Sequence, residues 1–143
     1  MLEENRSLVK RWFEEVWNQR LAATVNELFS PTGIGYMEGA KVVGPAEFIQ
    51  ARDMLLNAFP DIRVTVNQVV AEGDSVVVRW SAAGTHLGDS LGFRATSTAV
   101  TFNGMTWLRL VNGQIVEGWD AWNQGQLLEI LRAKSMANTV ASK

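Results

Sequence analysis

The hydrophobic period of the chain changes near residue 61. Before that point apolar residues recur at helical spacing, as at Leu8, Trp12 and Val16. After it they alternate with polar residues, as at Ile62 and Val64, which is typical of strands with one buried face. Helices that precede a run of such strands predict an α+β domain, in which the helices cover one face of an antiparallel sheet.

The boundaries of these elements follow from turn and capping signals. Pro45 suits the first turn of a helix, and Asn112-Gly113 is a strong hairpin signal. We predict helices over 3–18, 21–29, 45–59 and 124–135, a small hairpin of 34–37 with 41–43, and strands over 62–71, 75–86, 95–110 and 114–122. Residues 1–135 are expected to form a single domain, with 136–143 as a frayed tail.

Composition excludes several classes of function. The net charge is −2 without a basic run, so nucleic-acid binding is not expected. The chain has no cysteine and one histidine, His86, which argues against disulfides, thiolate chemistry and multi-histidine metal sites. No apolar run approaches the roughly 20 residues that span a bilayer, and the amino terminus lacks a signal-peptide core. We expect a cytoplasmic protein with no metal site and no membrane contact.

Six tryptophans are spread along the chain. Large rings with one polar edge suit a core, a pocket or a subunit interface, and the sequence leaves these alternatives open. Glycines at 84, 92 and 104 could bend the long strands. A strongly curved sheet with helices over its concave face forms a cone with a cavity, so we predict a pocket for an apolar small-molecule ligand or substrate.

Four stretches carry a resemblance to a known family. They are NRSLVKRWFEEVWNQ, VGPAEF, AFPDIRVTVNQVVAEGDSVVVRWSAAGTHLGDSLG and GMTWLRLVNGQIVEGWDAWNQGQLL. The chain resembles the SnoaL-like polyketide cyclases over about residues 3–133. This resemblance implies the nuclear transport factor 2-like (cystatin-like) cone fold and an intramolecular aldol ring closure without a cofactor, although the fold hosts many chemistries.

The resemblance also implies a catalytic acid/base at Asp120, in the last strand. A carboxyl group in an apolar pocket is costly to charge, so its pKa should rise toward the working pH. Two helpers are proposed. His86 either hydrogen-bonds a substrate oxygen or exchanges protons with Asp120, or instead caps the 87–94 loop. Tyr36 either donates to a substrate oxygen or packs. The expected pocket lining is Thr106, Leu108, Val116, Gly118, Trp80, Phe59 and Trp12.

A three-residue turn at 111–113 followed by a glycine bulge would place even-numbered residues of the last two strands on the pocket face. The opposite, convex face would then carry Met105, Trp107, Ile115 and Trp119. Exposed rings of this kind mark a partner surface, so we predict a homodimer through that face.

Departures from the family pattern keep other functions open. Relatives commonly have a histidine where this chain has Gly118, often an ionisable residue at Thr106, and often a histidine near Tyr36. A non-catalytic binding protein for an apolar metabolite is therefore the alternative, and a pure interaction domain is a third. Epoxide hydrolysis is less favoured, because Arg79 with Ser81 lacks one of the two aspartates found in those enzymes.

Overall fold

The computed structural model describes the backbone of residues 2–141 and the side chains of residues 2–138. The helices are α1 (Leu2–Trp12), which continues as a π-helical segment (Phe13–Asn18), then α2 (Ala22–Leu28), α3 (Gly44–Ala58) and α4 (Gln124–Ala141). The strands are β1 (Phe29–Met37), β2 (Ala40–Val43), β3 (Arg63–Glu72), β4 (Ser75–Thr85), β5 (Ala99–Val111) and β6 (Gln114–Trp122). The predicted α+β class is confirmed.

The strands form one curved sheet in the order β2-β1-β6-β5-β4-β3. The prediction of an antiparallel sheet needs one correction, because β1 runs parallel to β6, with Gly35 opposite Gly118 and Tyr36 opposite Trp119. After β2, α3 and the strands β3–β5, the chain returns to the edge of β1, and β6 runs in the same direction as β1. The small hairpin therefore extends the main sheet.

Three element boundaries differ clearly from the prediction. Strand β1 begins at Phe29, five residues before the expected start at residue 34. Strand β5 begins at Ala99, because Ser97 has a left-handed backbone (φ 57°) that interrupts the extended chain before it. Helix α4 begins after Asn123, whose Oδ1 accepts the Gln126 N–H at 3.0 Å. The helix continues to Ala141, past the expected end at residue 135. Residues 142 and 143 of the expected frayed tail lie outside the described residues.

The hairpin between β5 and β6 has a tighter turn than predicted. Asn112 (φ 51°) and Gly113 (φ 76°) form a two-residue turn that pairs Val111 with Gln114. The register then shifts, so that Leu110 pairs with Ile115 and Val116 is the extra residue. Ile115 is consequently buried at 0% exposure, and its predicted place on the convex face is wrong.

Beyond this bulge the alternation agrees with the sequence prediction. Thr106 pairs with Asp120 and Leu108 with Gly118, both on the face that the helices cover. Trp107 pairs with Trp119 on the opposite, exposed face. One glycine, Gly104, is required here, because a Cβ would lie 2.6 Å from the Ala121 carbonyl oxygen and 2.8 Å from the Trp80 ring.

The π-helical segment positions two of the tryptophans. Trp12 and Trp17 are five residues apart and would point in different directions from an α-helix of 3.6 residues per turn. Hydrogen bonds of the i→i+5 type widen the turn, so that residues at this spacing share a side. Both rings reach the space between helices and sheet. Asn18 ends the segment and pairs through its amide with both backbone groups of Val64 at 2.7 and 2.9 Å.

Within the described residues, no helix is both long and apolar enough to traverse a bilayer.

Candidate functional site

A cavity of about 300 Å³ lies between the helices and the inner face of the sheet. Its wall is dominated by aromatic and aliphatic side chains from both layers. Four of the six tryptophans contribute to this wall, while the other two are exposed on the convex face. The lining residues include Trp12, Trp17, Phe48, Trp80, Phe102, Leu108 and Trp122.

Asp120 faces this cavity from β6 and is held by a directional chain of hydrogen bonds. The Trp80 indole N–H can only donate, and it donates to Thr106 Oγ1 at 2.9 Å. Thr106 Oγ1 therefore uses its own proton to donate to Asp120 Oδ1 at 2.6 Å. Because Oδ1 is engaged as an acceptor, a proton carried by the Asp120 carboxyl belongs on Oδ2.

Burial raises the pKa of the Asp120 carboxyl above its usual value, and the Thr106 hydrogen bond opposes that rise. The side chain keeps some accessible surface because it borders an open cavity, but the wall of that cavity is largely apolar. The raised pKa reflects the loss of hydration in this surrounding. Such a carboxyl group can accept and return a proton nearer to neutral pH than an exposed aspartate can.

The structure places five of the seven predicted pocket residues around the cavity with Asp120. These are Trp12, Trp80, Thr106, Leu108 and Gly118. Phe59 does not line it. Its ring is fully buried behind the wall, 6.0 Å from the ring centroid of Phe102. Val116 does not line it either, because the bulge displaces it from the inner-face alternation.

His86 is not part of the cavity wall. It is fully buried, and its Nδ1 accepts the Thr96 backbone N–H at 3.1 Å, which leaves the ring proton on Nε2. Its ring packs between Phe59 and Phe93, with centroids at 5.8 and 5.4 Å. Burial lowers the pKa of the His86 imidazole. The contacts support the loop-capping interpretation over a role in proton exchange with Asp120.

Tyr36 touches the cavity rim, but its ring belongs to the other face of the sheet. It stacks on Trp119 with a centroid distance of 5.8 Å and an interplanar angle of 14°. Its register partner is also Trp119, which faces away from Asp120. Although Tyr36 borders the cavity rim, its stacking on Trp119 indicates that the phenol ring lies on the convex side of the sheet. The structure therefore does not bring Tyr36 and Asp120 together as an acid/base pair.

Arg79 is exposed on the convex face of β4, between the inward-facing residues Val78 and Trp80. It is therefore separated from the cavity by the sheet. The Arg79–Ser81 pair, the nearest equivalent to the arginine and aspartate of epoxide hydrolases, does not contribute to this site.

A charged cavity residue escaped the sequence analysis. Arg52 lies on α3 with 5% of its side chain exposed and contributes to the cavity wall. The signal was its spacing, since Arg52 falls on the apolar stripe of Phe48, Leu55 and Leu56. A charge on such a stripe must be buried, paired or placed at a site. In the described part of the chain, no cluster of three or more histidine, aspartate and glutamate residues is arranged to hold a metal ion.

The model of the SnoaL-like polyketide cyclase family matches residues 7–131. The chain belongs to this family. Among solved structures, it is similar to a protein from Jannaschia sp. CCS1 that is named as a SnoaL-like polyketide cyclase. That match has 25% identity, a TM-score of 0.84, and coverage of 90% of this chain and 92% of the other.

A second similar structure is AclR from Streptomyces galilaeus, named as a hydroxylase, at 28% identity and a TM-score of 0.81. It covers 93% of this SnoaL-like chain and 98% of its own length. A Kribbella flavida protein named as a ketosteroid isomerase shares the fold, at 18% identity, a TM-score of 0.66 and coverage of 86% and 80%. No curated protein sequence matches the chain.

Proposed function

We propose that this SnoaL-like chain is an enzyme in which Asp120 acts as general acid/base on an apolar, ketone-bearing substrate. The reaction class is an intramolecular aldol-type cyclisation or a related isomerisation, and no cofactor is required for it. The observation that carries the proposal is a buried carboxyl group with a raised pKa, fixed by Thr106 at the wall of an apolar cavity.

The direction of the hydrogen bonds supports a role for Asp120 Oδ2. In the ionised form, Oδ2 removes a proton from the carbon next to a substrate carbonyl. The resulting enolate carbon bonds to a second carbonyl carbon of the same molecule, and the carbonyl π electrons move to its oxygen. That oxygen takes the proton back from Oδ2, so the carboxylate is restored. Oδ1 stays hydrogen-bonded to Thr106 throughout.

The lining favours a flat, aromatic substrate. Trp80 and Trp122 lie 6.3 Å apart in an edge contact, and Phe102 stacks on Trp122 at 4.8 Å. Such walls exclude water and position rings through offset and edge contacts. Exclusion of water also strengthens every electrostatic interaction around Asp120.

Turnover of an anthraquinone-type keto ester by wild type and by Asp120→Asn tests the proposal. General acid/base catalysis contributes about 10²–10⁴-fold, so the variant should lose activity by that factor. Arg63→Gln is a suitable control, because that arginine is 72% exposed and lies outside the cavity. Equal turnover by wild type and Asp120→Asn would remove Asp120 from the mechanism.

A non-catalytic carrier is the second candidate. The observation in its favour is that Thr106 is the side chain that hydrogen-bonds Asp120, and Thr106 does not titrate in the working range. His86 and Tyr36 face elsewhere. Saturable quenching of tryptophan fluorescence by the keto ester, with no product after hours, would favour the carrier.

We further propose that the chain forms a homodimer through the convex face of its sheet. Met105, Trp107 and Trp119 are 54%, 51% and 39% exposed there, and the Tyr36 ring extends the same patch. A contiguous surface of large apolar side chains is typical of a protein interface. Because the patch lies on one sheet face, a two-fold axis can pair it with its own copy.

A further inference from the structure

Arg52 contributes to the cavity wall opposite the sheet. It extends from α3, whereas Asp120 extends from β6 on the sheet side. Arginine is rarely buried to 5% exposure unless its charge is compensated. What the Arg52 guanidinium can bind therefore depends on how far the acceptors around it already neutralise its charge.

The contacts made by Arg52 are incomplete. Its Nε and Nη2 atoms donate to Asp53 Oδ1 at 3.2 and 3.0 Å, and Nη1 donates to the Val16 carbonyl oxygen at 3.3 Å. Charge-assisted hydrogen bonds are normally about 2.7–2.9 Å long, so these three are weak. A guanidinium carries five N–H groups, so one N–H on each terminal nitrogen remains for another acceptor.

The partner carboxylate neutralises this charge poorly. Asp53 is 58% exposed, and water competes with Arg52 for its oxygens. Both Arg52 contacts to Asp53 end on the same oxygen atom, rather than forming the two parallel bonds that arginine and carboxylate prefer. A strong anionic acceptor inside the cavity would therefore improve the surroundings of the guanidinium.

We propose that Arg52 binds a carboxylate of the ligand, so that the cavity selects flat apolar molecules with an acidic group at one end. This inference rests on the proposed function, because it concerns the same cavity. Asp120 would then meet the carbonyl-bearing end and Arg52 the acidic end. The raised pKa of Asp120 limits the repulsion that a second negative charge would otherwise meet.

The test compares anthracene-2-carboxylate with anthracene-2-carboxamide by titration calorimetry at pH 7.5. The two probes share shape and apolar area and differ in charge. Wild type should bind the carboxylate at least about tenfold more tightly, since hydrogen bonds to charged groups contribute on that scale. Arg52→Gln should abolish the preference and still bind the carboxamide, whereas Arg63→Gln should keep the preference.

The outcomes separate the two proposals. Equal affinity of wild type for both probes would overturn the role of Arg52 and leave the apolar cavity intact. Failure of wild type to bind either probe would instead count against the proposed cavity function. If Arg52→Gln does not fold, the wild-type comparison and Arg52→Lys remain decisive, because lysine keeps the charge and should keep part of the preference.

Discussion

At the scale of single residues, the buried carboxyl of Asp120 links the proposed function to stability. Its folded pKa lies above the ordinary value of 3.8, so the folded state holds its proton at pH values where the unfolded chain has lost it. The contribution of this group to stability is therefore greatest at low pH. It declines as the pH rises from the ordinary value toward the folded pKa.

Asp120→Asn should consequently be more stable than wild type at pH 7.5, because the amide has no charge to desolvate and still accepts the Thr106 hydrogen bond. The stability advantage should shrink as the pH falls toward 4. Urea unfolding of both proteins at pH 4 and 7.5 measures it. A variant with equal or lower stability at pH 7.5 would show that Asp120 is not held in a charge-disfavouring surrounding.

The Trp80–Thr106–Asp120 chain makes a second prediction at this scale. Thr106→Val keeps the shape but leaves the buried Trp80 N–H without its acceptor, at a cost of about 1–3 kcal/mol in the free energy of unfolding. It also removes the donor that lowers the pKa of Asp120. The lower limb of the pH–rate profile, at which Asp120 ionises, should therefore move to higher pH.

Thr106→Ser is the matched control, because serine keeps the hydroxyl and loses a methyl group. Its pH–rate profile should coincide with that of wild type. If the pH–rate profile of Thr106→Val also coincided with that of wild type, the Thr106 hydroxyl would not influence the ionisation of Asp120.

At the scale of elements, alternation along β5 and β6 was sufficient to predict that Thr106 and Asp120 share a face. The pairing near the turn was not predictable, because the position of a bulge depends on which of Ile115 and Val116 packs better against the helices. The parallel pairing of β1 with β6 and the contacts of Arg52 join segments distant in sequence. The spacing of Arg52 on the apolar stripe of α3 indicates that it is buried, but local pattern contains no information on which distant segments it contacts.

The loop that follows β4 shows what a single buried histidine can stabilise. Residues 86–98 connect β4 to β5, and His86 binds them through the Thr96 N–H as well as through backbone bonds to Ser97 and Thr98. The folded pKa of His86 is lowered by burial, below an ordinary value of 6.5. Protonation is therefore favoured in the unfolded chain, and stability is lost as the pH falls through 6.5.

We expect His86→Asn to be free of this loss of stability at low pH, because the asparagine side-chain oxygen can accept the Thr96 N–H without titrating. Between pH 7.5 and 5.5 wild type should lose stability relative to the variant, by no more than about 1.4 kcal/mol per pH unit. Urea unfolding at the two pH values measures the difference, and changes in other titrating groups cancel between the proteins. Parallel behaviour of the two proteins would exclude His86 as the titrating group.

At the scale of the whole molecule, the sheet separates two apolar surfaces. The inner face forms the cavity within one chain, and the residues of the convex patch alternate with the cavity residues along β5 and β6. Trp107 thus lies between Thr106 and Leu108 in sequence but on the opposite side of the sheet. A change on the convex face can test assembly without altering the cavity lining.

Trp107→Glu should convert the proposed dimer to a monomer, because a carboxylate desolvated at the centre of an apolar interface has no partner. Ile130→Glu is the matched control, since Ile130 is similarly exposed at 46% but lies on α4. Sedimentation equilibrium at micromolar concentrations distinguishes the two states. A monomeric wild type would contradict the dimer. A monomeric Trp107→Glu that still binds anthracene-2-carboxylate would show that each cavity is complete within one chain.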